Sequence, residues 1–330
     1  MKRFMGLMVS LAILTGLLAG CAKPSTENPS ANESTPSASE TSFPNTYVDS
    51  LGHEVVLEQQ PKRVVSVFHA MYPDYLYVFG VSPVGVASAD TLLNQWAAYR
   101  DYTSNQSIVD VGSPTAPNLE KILELEPDLI LAAPLHEDIY AELSKIAPTV
   151  VLDYNQINSD WKYGVAEFSK LLGKEAEADA AIAKVETTVS DSAKKLQDFR
   201  SKGETLIFIS INDKTIWPYS VSQLQVVYDE KSGLGLTAPE AYPVVTNRSD
   251  PISLETLAEC NPDHIFLMTD YGDETAKQRL EELNKNSVWT SISAIQKGNI
   301  YQTDRSIFAF NSPIATQYGV DFVVNSLQKE

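Results

Sequence analysis

The chain has 330 residues, 43% of them apolar, and carries 43 Asp and Glu against 25 Lys and Arg, for a formal net charge of −18 at pH 7. So acidic a chain, with no basic run longer than Lys194-Lys195, argues against nucleic acid as a partner. Two cysteines, Cys21 and Cys260, exclude a disulfide scaffold, and the length suffices for two domains with their own cores.

Residues 1–20 read as a signal segment. Lys2 and Arg3 form a basic start, residues 4–17 are largely apolar, and Leu18-Ala19-Gly20-Cys21 closes with small residues and a cysteine. The apolar run is too short and wrongly flanked for a permanent membrane span. Residues 21–42 are dominated by Ser, Thr, Pro, Asn, Glu and Ala, a composition that buries too little surface to fold and predicts a disordered tether.

The first folded region is expected over residues 43–160. Residues 47–57 alternate apolar and polar around Gly52, a hairpin signal that puts His53 at a solvent-exposed turn. A buried strand over residues 64–68 leads through His69, Met71, Tyr72 and Pro73 into an apolar helix ending at Phe79-Gly80. A second strand at residues 84–87 precedes a long loop, residues 88–110, with Trp96, Tyr99, Arg100 and Tyr102. Strands at residues 129–132 and 149–152 end at His136 and at Asp153-Tyr154 respectively.

Residues 161–202 are expected to connect two halves through a helix at 161–172 and a rigid strut at 174–200. Gly173 stops the first helix, and Ala, Glu, Lys, Gln and Leu dominate the strut itself. Ile182, Val185, Val189, Ala193, Leu196 and Phe199 recur at spacings of three and four, giving one narrow apolar stripe on an uninterrupted helix. At 1.5 Å per residue it would span roughly 40 Å. A second folded region, residues 203–330, then repeats the strand and helix order. Its strands are expected at 206–210, 265–268 and 299–302, and a terminal helix at 313–327.

An internal repeat flanks the strut. Residues 118–131 and 253–266 share six of fourteen positions at a constant offset, each reading as an N-cap (Asn118, Ser253), a short helix, a Pro-Asp turn and an apolar strand. Matching order on both sides predicts an α/β fold of two lobes with mostly parallel sheets, joined by one long rigid helix. Carboxyl ends of parallel strands are where ligands bind in such sheets. The residues gathered there are His69, Tyr72, His136, Tyr154, Trp217, Tyr219, Tyr271, Arg305 and Phe308. Aromatic rings with an arginine suit a bulky organic ligand with oxygen-rich edges. Cys260, on the second repeat's helix, reads as a small core residue.

From about residue 45 onward the chain resembles the solute-binding lipoproteins of ABC importers for iron–siderophore complexes, a family that also includes cobalamin- and haem-binding members. The resemblance rests on Val48-Asp49-Ser50-Leu51-Gly52, Pro61-Lys62-Arg63-Val64-Val65, Val84-Gly85-Val86 and Ile146-Ala147-Pro148-Thr149-Val150, together with both copies of the repeat, in this order around one strut. It implies Cys21 as the lipidated N-terminus after cleavage, anchoring a monomer on the outer face of the cell membrane. It implies a ferric siderophore of the hydroxamate or citrate type as ligand rather than a resident cofactor, with cobalamin or haem as the alternative cargo, and only modest lobe movement. It assigns Glu120 and Glu255 to docking on the membrane permease; each also lies near a helix start, where a carboxylate is favoured. Among cleft residues, Trp217 and Arg305 lead as ligand contacts, with Tyr219, Tyr271, His69, Tyr72, His136 and Phe308 after them. With few cleft cations to place, a neutral or cationic hydroxamate complex is favoured over an anionic one.

Other chemistries fit less well. Direct metal binding through His69 and His136 lacks a matching pair in the second lobe, where Asp213 and Asp270 alone offer themselves. Haem would need His69 or Met71 as an axial ligand. An extracytoplasmic hydrolase would need a nucleophile motif, and neither Gly-x-Ser-x-Gly, His-Glu-x-x-His nor Cys-x-x-Cys is present. The chain therefore reads as a binding protein and not an enzyme.

Overall fold

In the computed structural model, which describes residues 42–68, 71–211, 215–242, 251–269 and 274–328, the fold begins with a hairpin organised by one carboxylate. Strands β1 (Asn45–Val48) and β2 (Glu54–Leu57) pair antiparallel around Gly52, whose φ of +86° favours glycine. The buried Asp49 carboxylate accepts the N–H groups of Leu51 and His53 at 2.9 Å and that of Val151 at 3.1 Å, which ties the turn to the first lobe. His53 is half-buried instead of freely exposed. Its Nδ1 lies 2.9 Å from Asp49 and its ring stacks on Tyr140 with centroids 3.9 Å apart. A paired carboxylate and a flat aromatic partner hold an imidazole more firmly than a turn position suggests.

The first lobe's sheet contains β3 (Val64–Ser66), β4 (Gly85–Val86) and β5 (Val109–Asp110). A two-stranded excursion, β6 (Gly112–Ser113) with β7 (Ala116–Pro117), precedes β8 (Leu129–Ala132) and β9 (Thr149–Val151). The strand order is β5-β4-β3-β8-β9, with every neighbouring pair parallel. Every residue of β3, β8 and β9 is buried, as unbroken apolar runs require when helices cover both faces. The helices Met71–Val78 and Trp161–Leu172 pack on one face through Tyr72, Leu76, Phe168 and Leu171; Ile122 and Leu143 cover the other. The expected loop at 88–110 is partly helical, because Leu92 and Tyr99 are sunk into the protein and draw the chain into turns at Thr91–Gln95, Ala97–Tyr99 and Arg100–Thr103.

The internal repeat performs the same work twice. Asn118 and Ser253 cap their helices, each accepting an N–H three residues on at 3.0 Å. Asp128 accepts the N–H of Arg63 at 2.8 Å, and Asp263 that of Thr205 at 3.0 Å. In each lobe the Pro-Asp turn thus fixes the start of one strand beside its parallel neighbour.

Between the lobes runs the strut, Glu175–Lys195. Its stripe changes partner along its length: Ala178, Ala181 and Ile182 pack on the first lobe's core, whereas Val185, Val189, Leu196 and Phe199 belong to the second's. The strut is interrupted where an unbroken helix was expected. Leu196 forms a turn, then Gln197–Ser201 resumes with Arg200 N–H donating to Leu196 at 2.9 Å. Leu196 and Phe199 are both buried, and the turn sinks them together into the second lobe.

That lobe holds β10 (Leu206–Ile211), β11 (Ile216–Pro218), β12 (His264–Thr269) and β13 (Ile300–Asp304) in the order β11-β10-β12-β13. Only the β10–β11 pair is antiparallel, and β11 lies on an edge, where Pro218 is tolerated. Cys260 packs in the core with Leu257 and Trp289 as a small apolar residue, its Sγ 3.2 Å from the Ala241 carbonyl. The terminal helix Pro313–Leu327 lies along the strut and reaches back to the first lobe, where Ile314 packs with Tyr77, Leu92 and Tyr99.

Candidate functional site

The carboxyl ends of both sheets supply the candidate site, and the side chains expected there divide by burial. Cys21, His69 and Tyr271 lie outside the described residues, as do Asp213 and Asp270. Trp217, on edge strand β11, and Arg305, the residue after β13, are both half-buried and keep surface available. Tyr154, shortly after β9, is half-buried, with its ring stacked on Phe68 at 5.0 Å.

Four other expected contacts lie in cores. Tyr72 is fully buried, donating its hydroxyl to the Leu152 carbonyl at 2.6 Å and packing on Phe68 and Phe168. Burial pushes its phenol well above the ordinary tyrosine range, so it stays neutral. Tyr219 packs in the second lobe's core, and its carbonyl accepts the Tyr242 hydroxyl at 3.0 Å. Phe308 sits edge-on to Phe208 at 5.8 Å and against Gly319, where a Cβ would come within 2.4 Å of its ring. Its backbone φ of +53° is unusual for an aromatic residue.

His136 is buried with both nitrogens engaged. Nδ1 accepts the Ala133 N–H at 3.0 Å, which leaves the proton on Nε2 to be donated to the Pro114 carbonyl at 2.8 Å. Burial lowers its pKa and favours this neutral form. It fastens a loop rather than lining a surface. Met71, the alternative haem ligand, is likewise sealed in the first lobe's core. Position at a strand end does not set the direction of a ring, and for these residues packing area outweighs exposure.

The connection from β13 to the terminal helix, residues 305–312, is fastened to the first lobe. Ala98 N–H donates to Ser306 Oγ at 3.1 Å, Asn311 N–H donates to Asn158 Oδ1 at 3.1 Å, and Tyr75 donates to the Asn311 carbonyl at 3.3 Å. The Phe310 ring lies 5.7 Å from that of Trp96. Behind it, fully buried Asp74 receives four hydrogen bonds from Ser312, Ile314, Ala315 and Tyr99. Burial pushes this carboxyl up to about 6 against the opposing pull of those donors. Sequence reasoning passed over Asp74. The available signal was a lone carboxylate within the apolar run 71–79, which cannot be buried without partners.

Glu120 and Glu255 are exposed in the first turns of the helices Leu119–Glu124 and Leu254–Cys260, directly after their N-caps. Among the described residues, no group of three His, Cys, Asp or Glu side chains is arranged to hold a metal ion. No described helix is long and apolar enough to cross a membrane.

Comparison with known proteins extends this geometry. The profile of the periplasmic binding protein family matches residues 65–306. A putative ABC transporter substrate-binding lipoprotein of Bacillus subtilis, YhfQ, is 28% identical over 82% of this chain and 84% of its own. The iron(3+)-hydroxamate-binding protein YxeB of the same organism is 27% identical over 100% of this chain and 98% of its own. Among solved structures, an FhuD fold-family periplasmic binding protein component of a Fep/Fec-like ferrichrome ABC transporter from Bacillus subtilis superposes with a TM-score of 0.70. It is 26% identical, and the match covers 86% of this chain and 100% of that one.

Proposed function

Because the chain belongs to the periplasmic binding protein family, we propose that it captures a ferric siderophore between its lobes and hands it to the permease of an ABC importer. The observation that carries this reading is the strut, whose apolar stripe serves the first core through Ile182 and the second from Val185. One stiff element shared by two cores fixes the lobes relative to each other, so a ligand can be gripped without large rearrangement. The full-length match to YxeB and the match to YhfQ support the importer role and the class of ligand.

Trp217 and Arg305, which retain surface at the strand ends, are the proposed ligand contacts; His69 and Tyr271, which follow β3 and β12 in the sequence, are proposed with them. An aromatic face and a guanidinium suit a hydroxamate complex of low charge, the second binding the oxygen-rich edge by charge-assisted hydrogen bonds. Glu120 and Glu255 are the proposed permease contacts. Their carboxylates are exposed, one on each lobe, and charged docking of this kind orients a partner more than it adds affinity. Cys21 is the proposed lipid attachment point, with residues 22–42 as the tether of a monomer that performs no chemistry on its cargo.

Titration of the mature chain with ferrichrome, ferrioxamine B, ferric citrate, cobalamin and haemin, monitored by tryptophan fluorescence, tests the reading. A saturable change with a ferric hydroxamate is expected. A Soret band on haemin addition together with indifference to every ferric siderophore would replace it with haem capture.

A further inference from the structure

The terminal helix is capped from the other side of the molecule. Ser312, at the N-cap position, makes no side-chain bond to its own helix. Its hydroxyl donates instead to Asp74 Oδ2 at 2.8 Å, and Asp74 then takes over the capping task, accepting Ile314 N–H on Oδ1 and Ala315 N–H on Oδ2, both at 3.0 Å. Tyr99 adds a fourth donor to Oδ2 at 3.0 Å. A local cap would join only neighbouring residues of one helix. This one joins the helix Met71–Val78 of the first lobe to the segment that leaves β13 of the second, and nothing about helix capping alone calls for that reach.

We propose that Asp74 is a positioning residue for ligand capture: by capping the terminal helix across the lobes, its carboxylate fixes the connection that carries Arg305 against the first lobe. The consequence for binding rests on Arg305 as a ligand contact. The clamp itself does not. Three further contacts along the connection, from Ala98, Asn158 and Tyr75, align it, but each is a single hydrogen bond, whereas Asp74 takes three from Ser312, Ile314 and Ala315, with a fourth from Tyr99 of its own lobe. The ionisable or charged groups around Asp74 are the phenols of Tyr99, Tyr75 and Tyr102, all raised by burial and so neutral; the terminal helix contributes hydroxyl and backbone donors.

Asp74→Asn in the mature chain is the direct test. Both carboxylate oxygens accept a backbone N–H, so either orientation of the amide sets its NH2 against a backbone donor that cannot turn away. Hydrogen exchange at Ile314 and Ala315 is expected to accelerate at least tenfold, and the Kd for ferrioxamine B to rise at least tenfold. Leu171→Ala, a first-lobe core variant distant in role, serves as control: at a comparable loss of Tm its Kd should stay within twofold of wild type. Unchanged exchange at Ile314 and Ala315, or equal affinity losses in Asp74→Asn and the control, would overturn the proposal. Should Asp74→Asn fail to fold, Tyr99→Phe with Ser312→Ala removes two of the four donors while keeping both backbone bonds, and it is held to the affinity outcome alone: a Kd rise no larger than that of the control would overturn the proposal. If the wild-type chain ignores all ferric siderophores, the ligand reading falls, while the exchange measurement still decides whether the clamp exists.

Discussion

Ala315 donates its backbone N–H to the carboxylate of Asp74 at 3.0 Å, across 241 residues of sequence. The carboxyl is fully buried, and burial pushes it from 3.8 up to about 6. A raised acid favours the protonated folded chain, so the stability attached to that proton is complete below the ordinary aspartate range and is lost as pH rises through about 6. The advantage of wild type over Asp74→Asn should therefore shrink by about 2 kcal/mol between roughly pH 4 and pH 7, read by urea unfolding. His136 has the opposite sign, since burial lowers its pKa and acidification removes its contribution; it is common to both chains and cancels in the difference. An advantage that grows with pH would mean that the four donors outweigh burial.

Gly164 lies in the helix Trp161–Leu172, where a Cβ would meet two ring carbons and the hydroxyl oxygen of Tyr75 at 2.6 to 2.7 Å. Alanine gains about 1 kcal/mol in helix propensity, but overpacking two buried elements costs about 1 to 3 kcal/mol. Gly164→Ala should thus lose about 1 kcal/mol net in chemical denaturation, and because Tyr75 donates to Asn311, the loss should be accompanied by faster exchange in the 305–312 connection. A stabilised variant would show that the ring yields freely.

Trp217 and Arg305 are half-buried, so truncating either should weaken ligand more than fold. Trp217→Ala and Arg305→Ala are each expected to raise the Kd for a ferric hydroxamate about tenfold or more, equivalent to about 1.4 kcal/mol, with small changes in Tm. Wild-type affinity in both variants would remove these residues from the site.

Glu120 and Glu255 sit on separate lobes with exposed carboxylates. The double variant Glu120→Ala with Glu255→Ala should bind ligand as wild type does while cellular uptake of labelled ferric siderophore is abolished. Undiminished uptake would leave them as ordinary first-turn residues stabilising their helices.

Cys21→Ala should move the chain from the membrane fraction into the medium, because loss of the acyl chains removes about 0.8 kcal/mol for each buried CH2. Fractionation and immunoblotting read this directly. Continued retention in the membrane would point to another anchor.

Much of the fold was legible because its signals are local. Asn118 and Ser253 cap the helices they precede, Gly173 ends the helix before the strut at a φ of +61°, and the stripe from Ile182 to Phe199 faces the cores. Each depends on neighbours within a turn or two, and propensity and periodicity report on that range. The candidate site was less legible. Strand-end positions gave addresses for Tyr72, Tyr219, His136 and Phe308, yet whether each ring turns outward depended on packing partners such as Phe168, Phe208 and Gly319 that are distant in the chain.

Taken alone, the amino-acid order determined two α/β halves, a repeated cap and Pro-Asp turn in each, and one long helix between them, since short-range backbone preferences and apolar spacing are written residue by residue. Tertiary structure alone decided the turn at Leu196, the burial of four expected contacts, and the reach of Asp74 to Ser312, Ile314 and Ala315. A buried carboxylate must find donors, but which donors become available is settled only when segments more than two hundred residues apart are packed side by side.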